Sequence, residues 1–278
     1  MRIRRMDRKI LFLDLDGTLL NDQKEITPGN RSAIEKAIAL GHQVVVTSGR
    51  PLKSALVQAE RLGLTGEGCY VIAYNGAVIY DCHRQREIFR RTLHMADLYQ
   101  LFDEARRRNI HIQAYDGDDT VVIESCCDTA VAGRYCAKID LHFRVVEDIR
   151  TGLTGASVKA LMIDFQDHEP VAAMEQWVLE NMAGKVDCFF SSRYYLEVVP
   201  VDMNKGEAVR EMCKILGTPL ENTVAAGDEA NDVSMIQTAG TGVAMGNAVQ
   251  AAKDAADYVT QRDNNHDGIA EVIERFLL

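Results

Sequence analysis

Residues 9–20 read KILFLDLDGTLL, a short apolar run closed by an aspartate, with a second aspartate two positions later and a Gly-Thr pair behind it. The run Lys9 to Asp14 has the pattern of a strand buried on both faces of a parallel sheet, and Gln43 to Thr47 (QVVVT) repeats it. Between them Thr27-Pro28 offers an N-cap followed by proline at the first helical position, and Gly41 offers a stop, which predicts a helix over Pro28 to Leu40. Strand, helix, strand is the opening unit of an α/β domain. Pro51 to Leu62 reads as the next helix and Tyr70 to Ala73 as a third strand. Asn75-Gly76 then turns the chain into Val78-Ile79-Tyr80.

From about Asp81 the connections lengthen and become polar. Segments near His111 to Tyr115, Thr120 to Glu124, Lys159 to Phe165 and Cys188 to Ser191 read as half-exposed antiparallel strands, with helices near Met95 to Arg108 and His168 to Met182 over one face. After Tyr195-Leu-Glu-Val-Val the parallel style returns, with a helix over Lys205 to Gly217, a strand at Thr223 to Ala226, a helix over Ala230 to Thr238 and a strand at Val243-Ala244. The sequence therefore predicts an α/β domain made of residues 1–80 and 191–278, interrupted by an α+β insert over 81–190.

The 278 residues are just under twice the ~150 of an ordinary domain. Apolar residues at 47% and charged residues at 26% are those of a folded globular chain. A formal net charge of −10 argues against nucleic acid or an anionic membrane as partner. Seven cysteines without a CxxC pair suggest neither a disulfide framework nor a zinc site. The basic start MRIRRMDRK precedes only the short run ILFL, and no apolar stretch approaches the ~20 residues of a membrane span, so the cytoplasm is the expected location.

Ligands of open α/β sheets bind beyond the carboxyl ends of the strands. Asp14-Leu-Asp16-Gly-Thr closes the first strand, Ser48-Gly49-Arg50 the second, and Gly227-Asp228-Glu-Ala-Asn231-Asp232 a late one, while Lys205 opens a helix. Each alone has a plain alternative: Asx-turn or N-cap for the aspartates, N-cap for Ser48, a solvated surface position for Lys205. Together they form a set in which several acids at one sheet edge call for a hard divalent cation, better Mg²⁺ than zinc, while a hydroxyl and an ammonium grip phosphate oxygens. Such a set suits phosphoryl transfer through an aspartyl-phosphate.

At this point the sequence resembles the haloacid dehalogenase superfamily, in its Cof-type phosphatase branch, over almost the whole chain. DLDGTLL at 14–20, TSGRP at 47–51, YNGA at 74–77, NKGEA at 204–208 and GDEAND at 227–232 follow one another in the family's order, and GVAMGNA at 242–248 and the closing DGIAEVIE look like its tail. The resemblance implies a Rossmann-like parallel-sheet core with an inserted α+β cap. It implies that Asp14 is the nucleophile and Asp16 the general acid and base. Asp14, the backbone carbonyl of Asp16, and Asp228 would bind Mg²⁺, supported by Asp232. Ser48, Lys205 and Asn231 would hold the phosphoryl group, with Gly49, Arg50 and Asn75 lining the pocket. The family often has Thr where this chain has Ser48, and only the hydroxyl is needed.

The activity so implied is a Mg²⁺-dependent phosphatase of small phosphorylated metabolites, sugar phosphates first, as a monomer or homodimer. Alternatives are a phosphosugar mutase, or a phosphatase of a non-sugar metabolite such as pyridoxal phosphate or a nucleotide. A non-enzymatic phospho-receiver would need only one ordinary domain and has no use for Asp16. The run Gly240-Thr-Gly242-Val-Ala-Met-Gly246 misses the dinucleotide pattern by one position. Asp116-Gly-Asp-Asp reads as a hairpin turn rather than a calcium loop, and Arg106-Arg107-Arg108 as a solvated helix end.

Overall fold

A computed structural model describes residues 8–117 and 119–278; the basic opening stretch 1–7 and Asp118 of the acidic turn lie outside the described residues. The described chain divides into two compact units, one running to Phe89 and resuming over Asn204–Leu278, the other Arg90–Met203.

The first unit opens with β1 (Ile10–Leu13), α1 (Pro28–Leu40), β2 (Gln43–Thr47), α2 (Leu52–Arg61), β3 (Cys69–Ala73), β4 (Val78–Asp81) and β5 (Arg86–Arg90). Every residue of β1 is fully buried, as an apolar run between two parallel neighbours requires. Helix α1 starts at Pro28 and stops where Gly41 takes φ 100°, although the hydroxyl of Thr27 does not cap it but donates to Asp267 Oδ1 at 2.5 Å. After the second unit the chain continues with α7 (Lys205–Leu216), β12 (Thr223–Gly227), α8 (Val233–Thr238), β13 (Thr241–Ala244), α9 (Gln250–Ala255), β14 (Tyr258–Val259) and α10 (Gly268–Phe276). The sheet order is β14-β13-β12-β1-β2-β3-β4-β5, parallel from β14 to β3 and antiparallel between β3 and β4. The chain steps outward from β1 through β2 to β3 on one side and from β12 through β13 to β14 on the other, so the carboxyl ends of β1 and β12 flank the switch point where such folds bind ligands.

The second unit holds α3 (Met95–Arg108), β6 (His111–Tyr115), β7 (Val121–Glu124), α4 (Thr129–Ile139), β8 (Phe143–Val146), α5 (Ile149–Gly152), β9 (Ala160–Ile163), α6 (Glu169–Asn181), β10 (Val186–Ser192) and β11 (Tyr195–Pro200). Its sheet order is β10-β11-β9-β6-β7-β8. Pairing is antiparallel except between β7 and β8. Helices α3 and α6 pack on alternate residues such as Ile112, Ala114, Met162 and Val198. Behind the sheet, Tyr135 of α4 meets Tyr115, hydroxyl to hydroxyl at 2.7 Å. The strands β6, β7 and β9 are therefore buried throughout rather than half-exposed. Asp116 N bonds to Thr120 O in the β6–β7 turn, and its carboxylate is engaged by Arg144 and Thr154 N. The three arginines at the end of α3 pair with Asp103, Glu104 and Glu124 rather than standing free in solvent.

The unit boundaries correct the predicted insert of 81–190. Arg86–Arg90 adds a strand to the first sheet despite its charged sequence, and β11 belongs to the second sheet, not to the returning parallel one. The cause of the second shift is Glu197, buried opposite Leu196 and Val198 and held by Lys159 Nζ at 2.9 Å. With its charge neutralised inside, β11 is buried on both faces and imitates a parallel strand.

Candidate active site

Asp14 follows β1 directly, and its N–H donates to Ala226 O of β12 at 3.1 Å. Ser48 follows β2, its N–H on Ile72 O at 2.9 Å, and Asp228 follows β12. Adjacent parallel strands in register thus deliver three polar side chains to one edge. The chain turns away from Asp14 through Gly17 at φ +87°, where a Cβ would fall 2.2 Å from Asp228 Oδ2. Only glycine permits this approach of the loop to the late strand.

Lys205, the first residue of α7, has no solvent exposure, and its Nζ donates to Asp14 Oδ1 at 2.6 Å and to Asp232 Oδ1 at 2.5 Å. Asn204 caps that helix by accepting from Glu207 N at 3.0 Å. Asp232, also without exposure, spends its other oxygen on the N–H groups of Asp228 and Glu229, at 2.9 and 3.0 Å. Asp228 Oδ1 accepts from the Thr18 hydroxyl at 2.6 Å.

One buried ammonium faces three buried carboxylates, and the balance shows in their acidities. Burial pushes the Asp14 carboxyl well above its ordinary range against the pull of Lys205, and Asp232 and Asp228 add to the rise. Burial likewise pushes Asp228 up to about 6, opposed by the Thr18 hydroxyl. For Lys205, burial favours the neutral amine, but Asp14 and Asp232 outweigh it and hold the ammonium charged.

Asp14, Asp228 and Asp232 each offer a carboxylate oxygen within 4.8 Å of the others, an all-oxygen set that could hold a hard cation. The carboxylate of Asp16 points elsewhere, into the fork of Arg50, at 2.8 Å from Nε and 2.7 Å from Nη2, with Lys24 Nζ at 2.8 Å. Partial burial pushes Asp16 upward, but the Arg50 and Lys24 hydrogen bonds outweigh it and hold the carboxyl below the usual range. Ser48 Oγ accepts from Arg50 N at 3.2 Å. Asn231 Nδ2 donates at 3.1 Å to Asn75 Oδ1, and Asn75 in turn sits against Gly49, where a Cβ would lie 2.9 Å from that same oxygen. The ten residues singled out from the sequence, Asp14, Asp16, Ser48, Gly49, Arg50, Asn75, Lys205, Asp228, Asn231 and Asp232, all belong to the first unit. Thr18 and Lys24 are additions: Thr18 lies inside the DLDGTLL motif, whereas nothing in the sequence marks Lys24.

A profile of haloacid dehalogenase-like hydrolases matches residues 11–273. The chain belongs to this family. Among haloacid dehalogenase-like relatives, the Bacillus subtilis (strain 168) 5-amino-6-(5-phospho-D-ribitylamino)uracil phosphatase YcsE is 31% identical over 98% of this chain and 97% of its own. The Escherichia coli (strain K12) pyridoxal phosphate phosphatase YbhA is 28% identical over 98% of this chain and all of its own. A haloacid dehalogenase-like hydrolase from Bacteroides thetaiotaomicron superposes with a TM-score of 0.85 at 33% identity, covering 96% of this chain and 99% of that one. Both of these curated relatives are named phosphatases. Among the described residues no helix is long and apolar enough to cross a membrane.

Proposed function

We propose that this haloacid dehalogenase-like hydrolase is a Mg²⁺-dependent phosphatase of small phosphorylated metabolites, sugar phosphates first, working through an aspartyl-phosphate. The observation that carries this is Lys205, fully buried between Asp14 and Asp232 beside Asp228. A single ammonium undercompensates three buried carboxylates, and an all-oxygen, anionic set suits Mg²⁺. Asp14 and Asp228, with the backbone carbonyl of Asp16, would hold the ion, and Asp232 would brace them through Lys205 and the backbone N–H groups of 228 and 229. When bound, Mg²⁺ supplies charge that keeps Asp14 ionised and offsets the phosphoryl oxygens.

Asp14 Oδ1 is occupied by Lys205, which leaves Oδ2 to attack phosphorus. As the new O–P bond forms, the bond to the leaving oxygen breaks, and Asp16 in its acid form delivers a proton to that oxygen. Asp16 then takes a proton from the water that attacks the phosphorus of phospho-Asp14; the Asp14 O–P bond breaks, inorganic phosphate leaves, the Asp14 carboxylate is regenerated and Asp16 is back in its acid form. To do so, Asp16 has to leave the fork of Arg50, which frees that guanidinium for substrate. Ser48, Lys205 and Asn231 supply donors to the phosphoryl oxygens, while Gly49 and Asn75 shape the wall behind them.

The relatives by name act on a ribitylaminouracil phosphate and on pyridoxal phosphate at similar identity, so sequence distance alone does not select the substrate. The test is hydrolysis of p-nitrophenyl phosphate by purified protein: turnover with Mg²⁺, none in excess EDTA, none for Asp14→Asn. Equal turnover in EDTA would overturn the metal dependence, and turnover by Asp14→Asn the covalent route. A panel of phosphorylated metabolites ranked by kcat/KM then decides the substrate class.

A further inference from the structure

A cavity of about 530 Å³ lies within the unit Arg90–Met203. It sits at the end of the six-stranded sheet where His111 of β6 and Ile163 of β9 stand opposite each other. The chain crosses into this unit at the other end, where Leu93 N donates to Ser157 O at 2.8 Å, and it leaves past β11, whose Val198 pairs with Ala160 at that same end. Its lining shares no residue with the aspartate cluster, all of whose members belong to the other unit.

The acids in its wall are already engaged. Glu124 accepts from Arg106 Nη2 at 2.7 Å and from Ile149 N at 2.9 Å. Asp128 caps α4 by accepting from Ala130 N at 2.8 Å, and Asp164 accepts from the N–H groups of Gln166 and Asp167 at 2.8 and 2.9 Å. Arg106 is committed to Glu124 and Asp103. Arg134 differs: among the described residues its guanidinium has no carboxylate partner, and it lies over the Phe165 ring with Cζ 4.0 Å from the centroid. The cavity therefore keeps one uncommitted positive charge stacked on an aromatic face, against apolar wall from Phe102, Val131 and Ile163. His111, 8% exposed in the same wall, is held neutral by burial, and its Nδ1 has no hydrogen-bond partner, which leaves unused polar capacity there.

We propose that this cavity binds a small aromatic or heteroaromatic molecule carrying a single anionic group, its ring beside Phe165 and its anion on Arg134. The volume falls within the ~300–1,000 Å³ of small-molecule sites. Carboxylate, sulfonate and phosphate are equivalent to a lone guanidinium at this level of chemistry.

The probe is 1-anilinonaphthalene-8-sulfonate, titrated by fluorescence against the full-length protein, with Mg²⁺ and orthovanadate present or absent. One saturable site is expected, unaffected by orthovanadate. Arg134→Glu should weaken it by at least about tenfold, the scale of one desolvated cation–π and charge contact. Ala130→Trp, which fills the cavity from an exposed helix position, should weaken it likewise. Both side chains are exposed, and urea midpoints equal to that of the parent protein establish that the fold is retained. Absence of a saturable site, a site that survives either substitution, or one lost on adding orthovanadate overturns the proposal. Binding is read directly, so the outcome does not depend on phosphatase activity.

Discussion

Replacing Asp232 by Asn removes one negative charge and almost no volume, which isolates the electrostatics of the site from its packing. Asp232 has no exposure; Oδ1 accepts from Lys205 at 2.5 Å, and Oδ2 from the N–H groups of Asp228 and Glu229 at 2.9 and 3.0 Å. A carboxylate accepts on both sides, whereas an amide accepts on one and donates on the other. If the NH₂ faces Lys205, donor meets ammonium and one member of a buried ion pair is gone. If it faces the backbone, two buried N–H groups lose their acceptor at ~1–3 kcal/mol each. Breaking a buried pair costs ~3–5 kcal/mol, and because Lys205 keeps Asp14 the expected loss for either orientation is ~2–4 kcal/mol. Urea unfolding in EDTA measures it without metal. Circular dichroism should follow the transition, because the one tryptophan, Trp177, belongs to the other unit. Lys205→Met, alone and combined with Asp232→Asn, completes a cycle whose coupling should exceed ~1.5 kcal/mol. A loss below ~1 kcal/mol with a coupling near zero is what a solvated surface pair gives, and it would refute the picture of an undercompensated buried cluster.

Asp16→Asn should lower turnover of alkyl phosphates by ~10²–10⁴, because a poor leaving group needs the proton, and cost far less with p-nitrophenyl phosphate; equal losses in burst-phase phosphorylation rates would exclude Asp16 as the acid. Gly17→Ala forces a Cβ to 2.2 Å from Asp228 Oδ2 at φ +87°, so the Mg²⁺ concentration for half-maximal turnover should rise by at least ~10-fold, given ~1–3 kcal/mol of backbone strain alone. An unchanged Mg²⁺ requirement would show that the loop yields. In the second unit, Arg107 lowers the Glu104 carboxyl, burial opposes, Arg108 adds, and the result is about 2 against an ordinary 4.5. A depressed carboxyl stabilises the fold fully above its unfolded value and loses that contribution as pH falls through the folded one. Stability of this unit, read by Trp177 fluorescence, should therefore drop from pH 4.5 toward 2, and Glu104→Gln should flatten the decline; identical acid limbs would refute it.

What the sequence discloses depends on how locally the signal is written. Helix α1 is legible to the residue because Pro28 and Gly41 punctuate it, and Asp14, Ser48 and Asp228 are legible because each closes a short apolar run. Helix α4 goes unseen: it starts on Asp128, but it stops on Asp140 in the left-handed region, where a glycine would have announced the end. Strand β11 is misassigned because the partner that neutralises Glu197 is Lys159, far away in the chain. The same holds for Thr18 on Asp228 and Lys24 on Asp16. A hydroxyl or an ammonium acquires its meaning from the acid the fold sets beside it, and residue type alone does not carry that. Asp16 is recognisable as a paired acid, yet its engagement with Arg50 instead of the other aspartates follows only from side-chain placement.

The second unit ends at Met203, and Asn204 both begins the return to the first unit and caps α7 from its own side chain. Lys205 is therefore anchored from within: its helix cap and its two carboxylate partners all come from the unit that surrounds the insert. A change of length or sequence between Phe89 and Asn204 therefore leaves untouched every group that caps or pairs the lysine's end of the helix.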